Sequence, residues 1–224
     1  AAISVKHFVF SQLKAFIPAD TVISGELNAT AWAKWAPNTA PQVKLDVRIP
    51  KGYATQNLAT PVTLGWEDIK LSANLRNNTL DLNWLLDLTN NGDIKGNISI
   101  KDVQGQRPIM QGKNVIKHIN LSFLSPLLGE QNLMQADINS SLTFQGPMLK
   151  PKVVGDFRVL DMKLKGQMFP VDVNSGEVNT QFNGYSAKLN SNLHTPDGEL
   201  NLKGDADWSP LLVKSSNQLR SSVL

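Results

Sequence analysis

Residues 177–208 constrain the fold more than any other stretch, because apolar and polar residues alternate there between turn sequences. The turns are Asn-Gly at 183–184 and Pro-Asp-Gly at 196–198, where Gly accepts a positive φ and Pro fixes its own φ. Successive side chains of a strand point to opposite faces. The stretch therefore predicts antiparallel sheet with one apolar and one polar face.

The same alternation recurs along the rest of the chain and predicts an all-β fold. The predicted strands are residues 3–10, 22–35, 43–49, 62–66, 69–75, 80–88, 94–100, 115–121, 133–144 and 153–164. Pro50-Lys-Gly52 predicts a turn. Only residues 11–17 and 122–128 have helical spacing, and each predicts a helix of about two turns. The apolar parity of residues 153–164 slips by one residue after Val159, which indicates a β-bulge.

An internal repeat relates the two halves of the chain with an offset of 111 residues. Lys6-His7 recurs as Lys117-His118, and Ser11 recurs as Ser122. Each copy is a predicted strand, a short helix and then long alternating strands. The pattern predicts a sheet made of two similar halves, about 3–110 and 114–208, within a single domain of residues 1–208. Residues 209–224 lack a period and are predicted to be a tail.

Composition and motifs favour no catalytic or metal site, so we expect no enzyme activity and no cofactor. The 224 residues include no cysteine, and the formal net charge is only +3. His7 and His118 are repeat equivalents, which gives their recurrence a structural explanation, and His194 lies outside any metal-binding spacing. Asp205 and Asp207 belong to the polar parity of a strand, without the loop that a calcium site requires.

The sequence leaves open what covers the apolar face. A sheet with one apolar face must bury that face against something, and the two short helices are too small to cover it. The sheet must close on itself as a sandwich or barrel, or stay open and hold an apolar ligand. Residue patterning does not separate these outcomes.

An ordered series of motifs resembles the C-terminal region of the TamB family, the inner-membrane subunits of the bacterial translocation and assembly module, which is similar to the AsmA-like bridge proteins. The series is Leu124-Ser-Pro-Leu-Leu-Gly-Glu130, Phe144-Gln-Gly-Pro-Met-Leu-Lys-Pro-Lys-Val-Val-Gly155, Leu164-Lys-Gly-Gln-Met-Phe-Pro-Val-Asp-Val173, Phe182-Asn-Gly-Tyr185 and Thr195-Pro-Asp-Gly-Glu-Leu-Asn-Leu-Lys-Gly-Asp-Ala-Asp-Trp208. The resemblance covers about residues 3–208.

The resemblance implies a long curved antiparallel sheet folded into an open U-shaped "β-taco", apolar inside and polar outside. It implies a location in the periplasm of a Gram-negative bacterium, with the full-length protein anchored in the inner membrane. The implied partners are phospholipid acyl chains, the outer-membrane barrel protein TamA and outer-membrane protein clients. The implied role is phospholipid transport between the two membranes, which supports assembly of outer-membrane proteins and autotransporters.

The candidate groove residues are the apolar-parity residues of the strands. They are Leu45, Val47, Leu71, Leu82, Trp84, Leu86, Ile98, Leu142, Phe157, Leu189 and Leu202. Lipid tails would fill such a strip without precise hydrogen bonding. The alternative function is a scaffold or chaperone that binds β-barrel client strands, or the partner barrel, at a sheet edge by β-augmentation.

Overall fold

The computed structural model describes residues 1–37 and 39–209, and these form one long open sheet with two short 3-10 helices. The predicted tail of residues 209–224 lies, apart from Ser209, outside the described residues. The strands are β1 (Ala2–Val9), β2 (Thr21–Ser24), β3 (Glu26–Lys34), β4 (Gln42–Gln56), β5 (Val62–Arg76), β6 (Thr79–Leu88), β7 (Asp93–Lys101), β8 (Ile109–Asn120), β9 (Leu133–Pro147), β10 (Lys152–Lys165), β11 (Ser175–Gly184), β12 (Ser186–Thr195) and β13 (Gly198–Asp207). The helices are η1 (Phe10–Phe16) and η2 (Ser122–Leu128).

Neighbouring strands pair antiparallel in the order β1-β3-β4-β5-β6-β7-β8-β9-β10-β11-β12-β13. The short strand β2 lies off this path and pairs with the second half of β4. Within the described residues β1 and β13 do not pair with each other, so the sheet is not a closed barrel. The prediction of a long antiparallel sheet with two short helices is confirmed.

Three β-bulges bend the strands, and a residue with positive φ lies at each one. They interrupt the register of β1 at His7, of β8 at His118 and of β10 at Asp161, with φ values of 52°, 50° and 51°. The bulge at Asp161 confirms the parity slip predicted after Val159. A fourth register shift lies between Trp66 and Asp68 of β5.

Three predicted boundaries are wrong, and glycine and tryptophan explain two of them. Pro50-Lys-Gly52 does not turn, because β4 runs straight through it and the Pro50 carbonyl accepts a hydrogen bond of 2.9 Å from Trp66 Nε1. The predicted strand at 22–35 is two strands, β2 and β3, separated by Gly25 with φ 138°. The predicted strands at 62–66 and 69–75 are a single strand, β5, which continues through its bulge.

The buried core is small and lies mainly at the end of the sheet that carries the helices. Its central cluster is Trp66, Leu88 and Ile119, each 7% exposed. Phe10 of η1 and Leu121, which precedes η2, pack against this cluster. Because η2 also packs on β5, it turns back across the end of the sheet after β8. The two helices therefore cover only one end of the apolar side.

Candidate functional site

All eleven candidate groove residues lie on the same face of the sheet, here called the apolar face. The register aligns Leu45, Ala73, Leu82 and Ile98 in one row across β4 to β7. It aligns Val47, Leu71, Trp84, Gly96, Asn114 and Leu142 in the next row. Leu86, Phe157 and Leu189 belong to a third row, and Leu202 lies on the same face, two residues from Gly204 of that row. Directly paired residues of a sheet share a face, so the predicted parity holds across all these strands.

None of the eleven candidates is fully buried. Leu71 and Leu202 are exposed, at 42% and 46%, and the other nine are half-buried. Residues between two packed sheets are almost completely removed from solvent, because protein interiors are close-packed. Away from the end that the two helices cover, the described part of the chain supplies no second layer over this face, which therefore differs from the dry core of a sandwich.

The list of candidate groove residues leaves out several isoleucines that lie on the apolar face and pack against the buried cluster. They are Ile49, Ile69, Ile94, Ile116 and Ile138. Ile94 and Ile116 are paired directly, and Ile94 also pairs with the candidate Leu86. The alternation of β7 already placed Ile94 and Ile98 on one parity, so this signal was available from the sequence. The missed residues extend the apolar face toward the helix end.

Trp84 carries a polar group onto the apolar face, and Asn114 satisfies it. Trp84 Nε1 donates a hydrogen bond of 3.2 Å to Asn114 Oδ1, reaching from β6 across β7 to β8. Gly96 of β7 makes this reach feasible, since a Cβ there would lie 2.4 Å from Trp84 Cζ2. The indole thus lies against the backbone of the neighbouring strand.

The structure does not bring the eleven candidates together in one enclosed cavity. Val47, Leu71 and Trp84 line a surface cleft of about 540 Å³ that spans β1 and β3 to β6. Most of its other lining residues have the opposite, polar parity, among them Arg48 and Lys70, so this cleft does not show a groove on the apolar face. The other eight candidates lie outside it.

The polar face carries ion pairs across neighbouring strands. Asp68, with a side chain 15% exposed, accepts hydrogen bonds from Arg48 Nε at 3.0 Å and from Lys70. Partial burial acts to raise the pKa of Asp68, but the hydrogen bonds and positive charges of Arg48 and Lys70 outweigh it and hold the pKa below its ordinary value. This network fastens β4 to β5 on the face opposite the candidates.

The histidines take structural positions. His7 and His118 lie at bulges, and His7 Nδ1 is 3.1 Å from Glu26 Oε2. Hydrogen bonds from His7 and Asn28 lower the pKa of Glu26. His194 Nε2 lies 3.3 Å from Glu199 Oε1 across β12 and β13. The described residues contain no group of three or more acidic, histidine or cysteine side chains arranged to hold a metal ion.

The fold and its open apolar face define the class of protein, which is an extended β protein built on one sheet. Comparison with known proteins defines the family. The sequence-family model described as "TamB, N-terminal domain" matches residues 1–159 of the chain. The translocation and assembly module subunit TamB of Haemophilus influenzae (strain ATCC 51907 / DSM 11121 / KW20 / Rd) is 31% identical over 141 residues, which are 63% of this chain and 11% of the relative. No solved structure matches the chain. The chain belongs to the TamB family.

Three further findings qualify the comparison. The matching model describes the N-terminal domain, so the C-terminal position suggested by the sequence motifs is not confirmed. The aligned part of the chain spans about a tenth of the relative's length. Within the described residues, neither helix has the length and hydropathy needed to cross a membrane.

Proposed function

We propose that the apolar face binds phospholipid acyl chains and forms part of a path for phospholipid between the inner and outer membranes. The observation that carries the proposal is that apolar side chains of neighbouring rows, such as Leu82 and Trp84, stay only half-buried on one face, which no second layer of the described chain covers away from the helix end. A contiguous apolar strip of this kind marks an interaction surface. Acyl chains fit it because they need apolar area and no matched hydrogen bonds.

Family membership supports the wider setting of the proposal. The relative is named a subunit of a translocation and assembly module. We place the full-length protein in the periplasm of a Gram-negative bacterium, anchored in the inner membrane as an AsmA-like bridge, with TamA as its outer-membrane partner. Phospholipid supply would then support assembly of outer-membrane proteins and autotransporters. The proposal assigns the chain no catalytic role.

Leu82→Asp tests the proposal, because Leu82 lies in the middle of β6 between Ala73 and Ile98 on the apolar face. In an open lipid-binding face, water reaches the new carboxylate once lipid is absent, so the protein folds with a modestly lowered Tm. Acyl chains cannot compensate a desolvated charge, so bound phospholipid is lost. Native mass spectrometry of the purified protein measures the lipid, and circular dichroism measures the fold.

Asn83→Asp is the matched control. Asn83 is the next residue of the same strand, is exposed, and lies on the polar face opposite Ser72 and Asn97. This variant is expected to keep both its fold and its phospholipid. A dry core would instead make Leu82→Asp insoluble, since an unpaired buried carboxylate costs an energy comparable to the ~5–15 kcal/mol stability of a whole domain. If Leu82→Asp is insoluble and the wild-type protein carries no phospholipid, the proposal is wrong.

One observation favours a second function, in which client strands bind the sheet edge. Every residue of β13 is exposed, and among the described strands β13 pairs with β12 alone. A free edge offers backbone donors and acceptors to an added strand. Saturable binding of peptides carrying the terminal strand of outer-membrane barrels would support this function. Such binding with no lipid on wild type would favour it over lipid transport.

A further inference from the structure

Three surface clefts lie on the polar face of the sheet. The first, of about 540 Å³, spans β1 and β3 to β6 and is the cleft lined by Arg48 and Lys70. A second, of about 370 Å³, spans β7 to β10, and a third, of about 320 Å³, spans β1, β3 and β4. In each cleft two neighbouring rows of polar-parity residues form the walls, and the row between them contributes its backbone. The clefts therefore open on the face opposite the eleven groove candidates.

One row of mostly short polar side chains runs through all three clefts. The register pairs its members directly from β1 to β10, in the order Ser4, Thr30, Asp46, Ser72, Asn83, Asn97, Lys113, Thr143 and Val154. Longer side chains flank the row, among them Arg48 and Lys70 on one side and Trp32, Gln111 and Gln145 on the other. Short residues between longer ones leave a furrow, here called the polar furrow. It crosses eight strand steps, about 38 Å at roughly 4.8 Å per step.

The polar furrow offers both donors and acceptors of hydrogen bonds. Serine and threonine hydroxyls donate and accept, and each asparagine amide carries a donor and an acceptor. Asn83 Nδ2 donates to Ser72 Oγ at 3.3 Å, which leaves Asn83 Oδ1 as an acceptor. Asn83 is paired directly with Asn97, so two exposed amides lie side by side in the middle of the furrow. A ligand that matches this lining carries donors and acceptors at short intervals.

The charges beside the first and third clefts are largely compensated within the sheet. Asp46 pairs with Lys44 at 3.1 Å, and the Asp68 carboxylate binds both Arg48 and Lys70. Among the charged residues that line these two clefts, only Lys6 lacks such a pair in the described part of the chain. A polyanion binds where unpaired positive charges are concentrated. The furrow therefore favours a neutral ligand.

Trp32 supplies an aromatic surface at one end of the polar furrow. Its side chain lines the third cleft and is 42% exposed. Trp32 is paired directly with Lys44, which places it on the polar face and away from the buried core. An exposed indole offers an apolar ring face to the CH groups of a ligand. Sugars present CH groups on the face of the ring and hydroxyl groups around its edge, so Trp32 and the short polar row match the two surfaces of a sugar.

We propose that the polar furrow binds a neutral, extended, β-linked oligosaccharide that lies across the strands. Its hydroxyl groups bond the row from Thr30 to Asn97, and one sugar ring stacks on Trp32. A β-1,4-linked chain is extended and advances with each sugar by nearly the distance between neighbouring strands, about 4.8 Å, so successive sugars meet successive strands. An extended polypeptide matches the furrow less well, because its backbone gains most by pairing along a strand edge, whereas the furrow crosses the strands.

Isothermal titration calorimetry of the purified 224-residue protein with cellohexaose and with maltohexaose tests the proposal. Both probes are chains of glucose and differ only in their linkage. The β-1,4-linked chain of cellohexaose is extended, whereas the α-1,4-linked chain of maltohexaose curls. We expect saturable binding of cellohexaose and no detectable heat from maltohexaose at the same concentrations.

Two substitutions place the binding in the polar furrow. Trp32→Ala removes the stacking surface and is expected to weaken cellohexaose binding by about tenfold, the equivalent of one aromatic contact. Trp35→Ala is its matched control, because Trp35 is 86% exposed and lines none of the three clefts. Ser72→Lys fills the floor of the furrow and is expected to abolish binding. Asn74→Lys adds the same charge to the same face of β5 outside the clefts and is expected to leave binding unchanged.

Circular dichroism checks the fold of each variant, and either Trp32→Ala or Ser72→Lys decides the question if the other fails to fold. Absence of cellohexaose binding to the wild-type protein, or equal weakening by the test and control variants, would overturn the proposal. Binding of a Gly-Ser repeat peptide that Trp32→Ala and Ser72→Lys weaken in the same way would also overturn it, since the occupant would then be a polypeptide. None of these outcomes depends on whether the apolar face binds lipid, because the furrow lies on the opposite face.

Discussion

At the scale of single residues, the polar face is held by charge pairs whose strength depends on pH. The pKa of Asp68 is lowered because Arg48 and Lys70 donate hydrogen bonds to its carboxylate and add positive charge beside it, which outweighs the opposing effect of partial burial. When the pKa of a carboxyl group is lower in the folded than in the unfolded state, its ionised form stabilises the fold. This contribution is complete above the unfolded-state pKa and is lost as pH falls through the folded-state pKa. The contribution of Asp68 is therefore complete at neutral pH and disappears in acid.

Asp68→Asn is expected to lower the free energy of unfolding by about 1 kcal/mol at pH 7, with a loss that shrinks as pH falls through the lowered folded-state pKa of Asp68. Urea denaturation at pH 7 and at a series of acidic pH values measures this change. Asp46→Asn is the control, because the Lys44–Asp46 pair on the same strand is 3.1 Å apart with both side chains well exposed. A loss at Asp68→Asn that is equally large in acid would contradict the assignment.

At the scale of elements, the contact of the Trp84 indole with strand β7 depends on the absence of a side chain at Gly96. A Cβ on Gly96 would lie 2.4 Å from Trp84 Cζ2 and 2.5 Å from the Lys113 carbonyl oxygen. Gly96→Ala is expected to displace the indole from Asn114 and to cost about 1–3 kcal/mol of stability. Urea unfolding followed by tryptophan fluorescence measures both effects.

Gly204→Ala is the comparison for this substitution. Gly204 also lies in a strand, but a Cβ there would meet nothing closer than Leu189 Cβ at 4.0 Å. The free energy of unfolding of Gly204→Ala is expected to stay within about 0.5 kcal/mol of the wild-type value. Equal losses at both glycines would mean that strand propensity, and not contact with Trp84, sets the cost.

Most elements could be predicted from sequence because alternation survives wherever one face of a strand is apolar. The bulge near Asp161 was predicted because the slip moves Met162 and Leu164 to the apolar side. The continuity of β4 was not predicted, because Pro50 and Gly52 are turn residues by local chemistry and distant residues of β5, among them Trp66, hold them extended. The shared face of the eleven candidates was predicted, whereas their exposure depends on what lies above the sheet, which no local pattern encodes.

At the scale of the whole molecule, a sheet without a second layer leaves apolar area in water after folding. The heat capacity of unfolding scales with the apolar area that unfolding exposes. For the lipid-free chain we expect a value per residue below the usual ~12–15 cal/mol/K. Scanning calorimetry of delipidated protein measures it. A value within the usual range would indicate that the apolar face is covered, by a second copy or by collapse of the sheet.

The 111-residue repeat also determines how far the sheet extends, and in which direction its strands run, from one copy to the next. From β1 to β8 the sheet advances by six strand steps, about 29 Å at roughly 4.8 Å per step. Six is an even number, so β1 and β8 run in the same direction, and η1 and η2 end up on the same rim of the sheet. Adding or removing one whole repeat would change the length and preserve this polarity. Losing a single strand would reverse every strand beyond it and send the next helix to the opposite rim, so length in such a sheet can change only in pairs of strands.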